Sequence, residues 1–175
     1  MLRLFNKIRK IGVVTEPVTP ERDPAFEEIG DQLRARIGEL FHGSLAIRAI
    51  DAGSCNACEL EIHALNNPFY DIERFGVHFV ASPRHADMLL VTGTVTKHME
   101  AALKRTYNAT PDPKLVLAMG DCAANGGEFG CSYASNGGVS KVLPVDGIVH
   151  GCPPNPLSLM KAILALIEKR QPGKS

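Results

Sequence analysis

The sequence predicts an α/β fold in which a parallel sheet is covered by helices on both faces. Apolar segments typical of strands alternate along the chain with segments whose apolar residues recur every three or four positions. The chain has 175 residues, enough for one domain with its own core, and 22% of them are charged. Four cysteines closely follow predicted strands, where parallel sheets place their ligand-binding residues.

Residues 1–43 are predicted to form an N-terminal helical extension before the α/β domain of residues 44–175. Residues 1–11 carry four basic residues and no acid, with Leu4, Ile8 and Ile11 at helical spacing. Two interpretations stay open: a basic amphipathic helix on a membrane surface or a partner, or a frayed, solvated terminus. The three prolines of residues 14–24 predict an extended linker.

The extension is predicted to end in an amphipathic helix. Asp23 is placed to cap this helix, with Pro24 at the first helical position. Apolar residues then recur at helical spacing from Phe26 to Phe41, and the helix is expected to end near Gly43.

The α/β domain is predicted to contain alternating elements. The predicted strands are 44–50, 76–81, 88–91, 114–119 and 147–150, and the predicted helices are 59–65, 96–107 and 155–169. Residues 120–140 are rich in Gly, Asn and Ser and predict a long functional loop. The carboxyl ends of all strands in a parallel sheet lie at one edge, so residues that follow them are expected to converge.

Charge and hydropathy exclude several classes of protein. Lys and Arg number 19, as do Asp and Glu, so the formal net charge is zero and a nucleic-acid partner is not expected. Near neutrality suits a subunit that is buried in a larger assembly. No apolar run approaches the roughly 20 residues of a membrane span, and no secretory signal follows the start. In a cytosolic chain the thiols stay reduced, which favours metal or redox use over disulfides.

Four cysteines have the composition of an iron–sulfur site. Cys55 and Cys58 form a CxxC pair, Cys122 stands alone, and Cys152 precedes a proline. Four thiolates are what one [4Fe–4S] cluster needs, and a Cys-Pro step recurs at such sites. Structural zinc usually takes two close pairs, whereas 29 residues separate Cys122 from Cys152 here. A thioredoxin-like CxxC would leave Cys122 and Cys152 unexplained.

Four other residues near these cysteines carry open alternatives. Cys131 is either a thiol that binds no metal or a replacement for Cys122. Glu59 and Glu61 suit the start of a helix dipole, or one of them relays protons beside a cluster. Asp121 would disfavour cluster reduction unless it is paired or points away.

One turn outside the cysteine segments is a candidate interface. Arg84 and His85 lie in the segment that precedes the predicted strand 88–91. They either line a partner interface or form an exposed turn.

Five motifs within residues 45–167 resemble those of one protein family. The motifs are Gly-Ser-Cys-Asn-Ala-Cys-Glu-Leu-Glu (53–61), Ser-Pro-Arg-His-Ala-Asp (82–87), Gly-Asp-Cys-Ala-Ala-Asn-Gly-Gly (120–127), Leu-Pro-Val-Asp (143–146) and Gly-Cys-Pro-Pro (151–154). The family is the iron–sulfur small subunit of membrane-bound, energy-converting [NiFe] hydrogenases, including formate hydrogenlyase and hydrogenase-4 types. The chain is similar, more distantly, to the 20-kDa subunit of respiratory complex I. The resemblance implies a flavodoxin-like fold and places the cluster ligands on Cys55, Cys58, Cys122 and Cys152.

Two details of the resemblance favour the hydrogenase small subunits over the complex I subunit. The complex I subunit has adjacent cysteines at the first ligand pair, where this chain has CxxC. Exported uptake hydrogenases have a twin-arginine signal and a C-terminal extension with further clusters, whereas 23 residues follow Cys152 here. A single proximal cluster and a cytoplasmic location are therefore expected. Glu61 falls where both branches carry a glutamate, Glu59 is typical of the hydrogenase branch, and Asp121 and Cys131 depart from the usual pattern.

The resemblance also implies a function within a complex. The chain would pass electrons between a ferredoxin-like [4Fe–4S] subunit and the [NiFe] site of a large subunit, and would not be catalytic alone. It would lie at the cytoplasmic face of the membrane, as a peripheral subunit beside a membrane-arm subunit. The alternative is a complex I-like quinone oxidoreductase, in which the electrons pass to quinone.

Overall fold

The computed structural model describes residues 2–12 and 23–169, and its domain is built on a five-stranded parallel sheet. The strands are β1 (Leu45–Asp51), β2 (Val77–Phe79), β3 (Met88–Thr92), β4 (Leu115–Met119) and β5 (Gly147–Val149). Their order across the sheet is β2-β1-β3-β4-β5, the order of flavodoxin-like folds. The predicted fold class is therefore confirmed, and each strand lies within two residues of its predicted bounds.

The helices are α1 (Leu2–Ile11), α2 (Pro24–Phe41), α3 (Ala57–Leu65), α4 (Lys97–Ala109), α5 (Gly120–Asn125) and α6 (Pro156–Glu168). Single 3₁₀ turns occur at 72–75, 83–85, 127–129 and 139–141. Every helix in the described ranges falls short of the length or the hydropathy that a membrane span requires.

The predicted start and end of α2 are confirmed. The Asp23 carboxylate accepts a hydrogen bond from the Ala25 N–H at 3.0 Å, and Pro24 occupies the first turn. His42 takes the left-handed conformation, and the Gly43 N–H donates to the Ile37 carbonyl at 3.2 Å. The linker predicted over 14–24 lies, except for its last two residues, outside the described part of the chain.

The prediction of a loop over residues 120–140 is wrong at its start, because α5 follows β4 directly. Gly120 has φ +88°, which turns the chain out of the strand into a helix without an intervening loop. Gly126 ends that helix in the left-handed conformation and donates its N–H to the Cys122 carbonyl at 2.9 Å. Cys122 therefore lies on a helical turn whose two ends are set by glycines.

Apolar residues cover both faces of the sheet, as a parallel sheet requires. On one face, α2, α3 and α6 pack over the strands, and Leu33 and Ile37 of α2 are fully buried there. On the other face, Leu103 of α4 packs with Leu89 and Val116 of the sheet. Helix α2 thus belongs to the main core, whereas all residues of α1 are exposed.

Candidate cofactor site

Four cysteines line one pocket at the carboxyl edge of the sheet. Cys55 lies in the turn after β1, Cys58 in the first turn of α3, Cys122 on α5 after β4, and Cys152 in the loop after β5. Cys58 is buried and Cys122 half-buried, whereas Cys55 and Cys152 are exposed. Residues from three distant chain segments therefore present their sulfur atoms to a common space with one buried and one open side.

The turn between β1 and α3 is fixed by its own short-range hydrogen bonds. The Asp51 carboxylate accepts from the N–H groups of Gly53 and Ser54, both at 2.7 Å. The Ser54 hydroxyl accepts from the Asn56 N–H at 3.1 Å, and Asn56 adopts φ +71°. These contacts reverse the chain within five residues, so that both thiols of the CxxC pair reach the pocket.

The segments that carry Cys122 and Cys152 are tied to each other through Asp121. Its N–H donates to the Gly151 carbonyl at 3.0 Å, and its carboxylate accepts from the Gly151 N–H at 3.2 Å. His150 Nδ1 lies 3.1 Å from the same carboxylate oxygen. The Gly151 hydrogen bond and the His150 side chain together lower the pKa of Asp121. Asp121 thus joins the Cys122 and Cys152 segments by hydrogen bonds in both directions, and its effect on cluster reduction stays a prediction.

Two glycines pack against the sulfur atoms themselves. A Cβ atom at Gly120 would lie 2.8 Å from Cys58 Sγ, and one at Gly127 would lie 2.8 Å from Cys122 Sγ. Both distances are shorter than a van der Waals contact, so only glycine leaves these thiols in place.

Burial raises the pKa of the Cys58 thiol to about 12, and the negative charges of Glu59 and the other three cysteines add to the effect. Burial also raises the pKa of Cys122, with Cys152 and Cys55 contributing. These sulfur atoms are therefore costly to ionise unless a positive centre stands among them. A thiolate-binding metal centre supplies that charge and displaces the protons as it binds.

The donor set fits an iron–sulfur cluster in chemistry and number, since four thiolates are the usual ligands of such clusters. Within residues 2–12 and 23–169, no three Cys, His, Asp or Glu side chains meet closely enough to surround a single metal ion. A cluster is bound differently, because each of its thiolates binds a separate iron atom.

Cys131 does not line the pocket with the other four cysteines, and its side chain is exposed. It lies in the segment between the 3₁₀ turn 127–129 and the buried residue Ser135.

The two candidate carboxylates, Glu59 and Glu61, occupy different surroundings. Glu59 accepts a short hydrogen bond from the Thr92 hydroxyl, and its second carboxylate oxygen is buried without a partner among the described residues. It lies close enough to Cys58 to raise the pKa of that thiol. Glu61 is half-buried one turn beyond Cys58, and neither carboxylate lines the cysteine pocket.

Several contacts around the site were not predicted because they depend on sheet register. Thr92 reaches Glu59 because the last residues of β1 and β3, Asp51 and Thr92, pair in the sheet. Residues 126–138 return to the loop after β3, where the Thr94 and Ser135 hydroxyls lie 2.5 Å apart and the Val95 N–H donates to the Gly137 carbonyl at 2.9 Å. A run of small polar residues carries no sequence signal of such pairing.

Arg84 and His85 form an exposed 3₁₀ turn over 83–85. The Ser82 side chain caps this turn by accepting from the Arg84 N–H at 3.4 Å. The two side chains do not line the cysteine pocket.

Fold and site together define a class of protein, a flavodoxin-like domain that gathers four cysteines at the carboxyl edge of its sheet. The family described as NADH ubiquinone oxidoreductase, 20 Kd subunit, matches residues 55–166. The chain belongs to this family, whose members bind an iron–sulfur cluster.

Relatives refine this assignment. The chain is 47% identical over 120 residues to the probable membrane-bound hydrogenase subunit mbhJ of Pyrococcus furiosus. The aligned region covers 69% of this chain and 72% of the relative. It is 40% identical over 141 residues to formate hydrogenlyase subunit 7 of Escherichia coli. That aligned region covers 79% of this chain and 55% of the relative. The resemblance to small subunits of energy-converting [NiFe] hydrogenases is confirmed. The chain is a subunit of an oxidoreductase complex, and this subunit is not catalytic alone.

Solved structures agree with the fold. A chain of the membrane-bound sulfane sulfur reductase, an archaeal respiratory membrane complex, matches with a TM-score of 0.63 and 39% identity, over 71% of this chain and 69% of that one. A chain of an NAD⁺-reducing [NiFe]-hydrogenase matches with a TM-score of 0.55 over 75% of this chain and 96% of that one. At 17% identity, the second match speaks for the fold only.

Proposed function

We propose that Cys55, Cys58, Cys122 and Cys152 hold one [4Fe–4S] cluster and that the chain is an electron-transfer subunit. The observation that carries this proposal is the convergence of four thiols, from three segments far apart in sequence, on one pocket. When bound, such a cluster accepts and returns single electrons at a potential that its surroundings set. The chain contributes the four sulfur atoms and the shape of the pocket.

The proposed partners lie on either side of this cluster. Electrons would pass between a ferredoxin-like [4Fe–4S] subunit and the [NiFe] site of a large subunit. The exposed residues Cys55 and Cys152 mark the open side of the pocket. Leu60, on the helix that carries Cys58, and Phe129, in the turn after the helix that carries Cys122, are also exposed, which is typical of a surface that another subunit covers.

We further propose that the complex is membrane-associated and that this chain is a peripheral subunit at the cytoplasmic face, beside a membrane-arm subunit. The proposal is supported by the names of its relatives, a membrane-bound hydrogenase subunit in P. furiosus and a chain of an archaeal respiratory membrane complex.

Proton transfer beside the cluster is assigned in this proposal to Glu61 or Glu59. Glu59 has a buried carboxylate oxygen that finds no hydrogen-bond partner in the described part of the chain, and Glu61 lies one turn from Cys58 on α3. We expect Glu61→Gln and Glu59→Gln, each assayed in the whole complex, to leave the cluster's EPR signal unchanged while turnover falls roughly tenfold or more. Unchanged turnover in both variants would remove the relay from the proposal.

A quinone-reducing complex is the second candidate, because the family is described by a subunit of an NADH ubiquinone oxidoreductase. The two functions require different large subunits. A co-purifying large subunit with two CxxC motifs would hold a [NiFe] centre, whereas one that lacks them would move the proposal to quinone.

The primary test is the metal content of the anaerobically purified chain. We expect about four iron and four sulfide per chain, with an EPR signal on reduction. Zinc without sulfide would contradict electron transfer and leave an interaction module as the better interpretation.

A further inference from the structure

We propose that helix α1 lies on the surface of a lipid bilayer that contains anionic lipids. The proposal rests on residues 2–11 and their charges and does not depend on the cysteine site. It names the part of this chain that touches the membrane and the chemistry of the lipid that it contacts.

Helix α1 separates its apolar and basic side chains by direction. At 3.6 residues per turn, Phe5, Ile8, Leu4 and Ile11 follow one another within an arc of roughly 120°. The opposite arc holds Asn6 with three of the helix's four basic residues, which are Lys10, Arg3 and Lys7. The fourth, Arg9, lies between Phe5 and Leu2 on the helix surface, where a long side chain can extend toward lipid headgroups.

The apolar arc of α1 is uncovered in this chain. Phe5 is 66% exposed, Leu4 61%, Ile8 57% and Ile11 53%, although such side chains normally contribute to a core. Within the described ranges, no hydrogen bond or ion pair joins α1 to the α/β domain. A ten-residue helix without a buried residue is only marginally stable in water, so a surface that accepts its apolar arc would stabilise it.

Charge decides between a lipid surface and a protein partner. Helix α2 of the same chain packs against protein and carries charges of both signs, with Glu27 paired to Arg74 at 2.6 Å. Helix α1 carries four basic residues and no acid. Basic residues opposite a bulky apolar arc are the composition of helices that lie in the interface of anionic membranes.

The experiment measures how the full-length chain, with its cofactor, co-floats with vesicles. One set is phosphatidylcholine alone, and the other contains phosphatidylglycerol as about a third of its lipid, to supply a negative surface. We expect binding to the anionic vesicles only, and a decrease as salt is raised. Each basic residue near such a surface changes binding about fivefold, so Lys7→Glu with Lys10→Glu should lower it by at least 25-fold, an order-of-magnitude figure.

Matched variants separate α1 from the rest of the surface. Lys97→Glu with Lys161→Glu makes the same change in net charge at exposed positions outside α1 and should leave most of the binding intact. Phe5→Ser should weaken binding, whereas Phe69→Ser, at a side chain that is 55% exposed elsewhere, should not.

Three outcomes would overturn the proposal. They are no binding to anionic vesicles, equal binding to both vesicle sets, or equal loss in the α1 variants and their controls. A helix that instead docks on a protein would give the first of these, with loss of complex assembly in the Lys7→Glu, Lys10→Glu variant. Iron content and the EPR signal should be the same in all variants, so a failure here is distinguishable from a failure of the proposed cluster.

Discussion

The loops of the cysteine site and helix α1 both expose groups that ordinarily lie buried or bound, yet the fold holds them in opposite ways. Around the cysteines, Asp51 ties the first loop to itself, and Asp121 ties the Cys122 and Cys152 segments to each other. Helix α1 has no comparable tie among the described residues. The cysteine loops are therefore held by hydrogen bonds within the domain, whereas α1 is expected to gain its stability from a surface outside the chain.

The largest expected effect concerns which thiols belong to the pocket. Cys122→Ser removes a sulfur that lines it, so the cluster should be lost, with iron and sulfide near zero and no EPR signal on reduction. Cys131→Ser changes an exposed thiol outside the pocket and should keep the signal. If the Cys131 variant lost the EPR signal and the Cys122 variant kept it, Cys131 would be the cluster ligand in place of Cys122.

The next effect separates α1 from α2 by a pair of identical substitutions. Ile37 of α2 is fully buried, and Ile37→Ala should lower the free energy of unfolding by about 2–5 kcal/mol. Ile8 of α1 is 57% exposed, and Ile8→Ala should change that free energy by less than about 0.5 kcal/mol. Urea unfolding of both variants, without lipid, measures the difference. Equal effects would mean that α1 also packs against the domain.

A pair of glycines tests how closely the backbone approaches the site. Gly120 and Gly43 both have positive φ, +88° and +96°, so alanine should strain either position by about 1–2 kcal/mol. Only Gly120→Ala would also press on Cys58 Sγ, because nothing lies within 4 Å of a Cβ at Gly43. We expect an additional cost of about 1–3 kcal/mol and a changed EPR spectrum for Gly120→Ala. Identical spectra and stabilities would show that the thiol adjusts freely.

The smallest effect concerns Glu100, which holds the segment after α5 through a hydrogen bond from Asn136. Glu100 of α4 binds Lys104 at 2.5 Å and accepts from the Asn136 amide at 2.8 Å, and these hydrogen bonds, led by that from Lys104, lower the pKa of Glu100. Because folding lowers the pKa of Glu100, its carboxylate stabilises the folded protein at pH values above about 4.3, the pKa of a free Glu side chain. This stabilisation is lost as the pH falls through the lowered pKa of Glu100 in the folded protein.

Glu100→Gln should therefore be less stable than the wild type near neutral pH, and the gap should close in acid. Urea unfolding at several pH values measures it. A gap that is independent of pH would show that the carboxylate charge is not what holds Asn136.

The sheet was predictable because its evidence is local and repeated. Buried strands such as Met88–Thr92 and Leu115–Met119 stand out as apolar runs, and the rule for parallel sheets then brings Cys55 and Cys152 to one edge although 96 residues separate them. Helix α5 was missed because its glycines resemble loop residues until their positive φ values are known. The Thr92–Glu59 contact needs the register of β1 against β3, which no short pattern contains.

The tie between Asp121 and Gly151 has a consequence for biosynthesis. Cys152 is made after the other three cysteines and after all five strands, so a nascent polypeptide has no complete set of four thiols until the whole sheet has been translated. Anything that requires all four must be inserted into a domain whose strands are already translated. A factor that delivers a group bound by four thiolates would accordingly meet a chain that already contains every strand of the sheet.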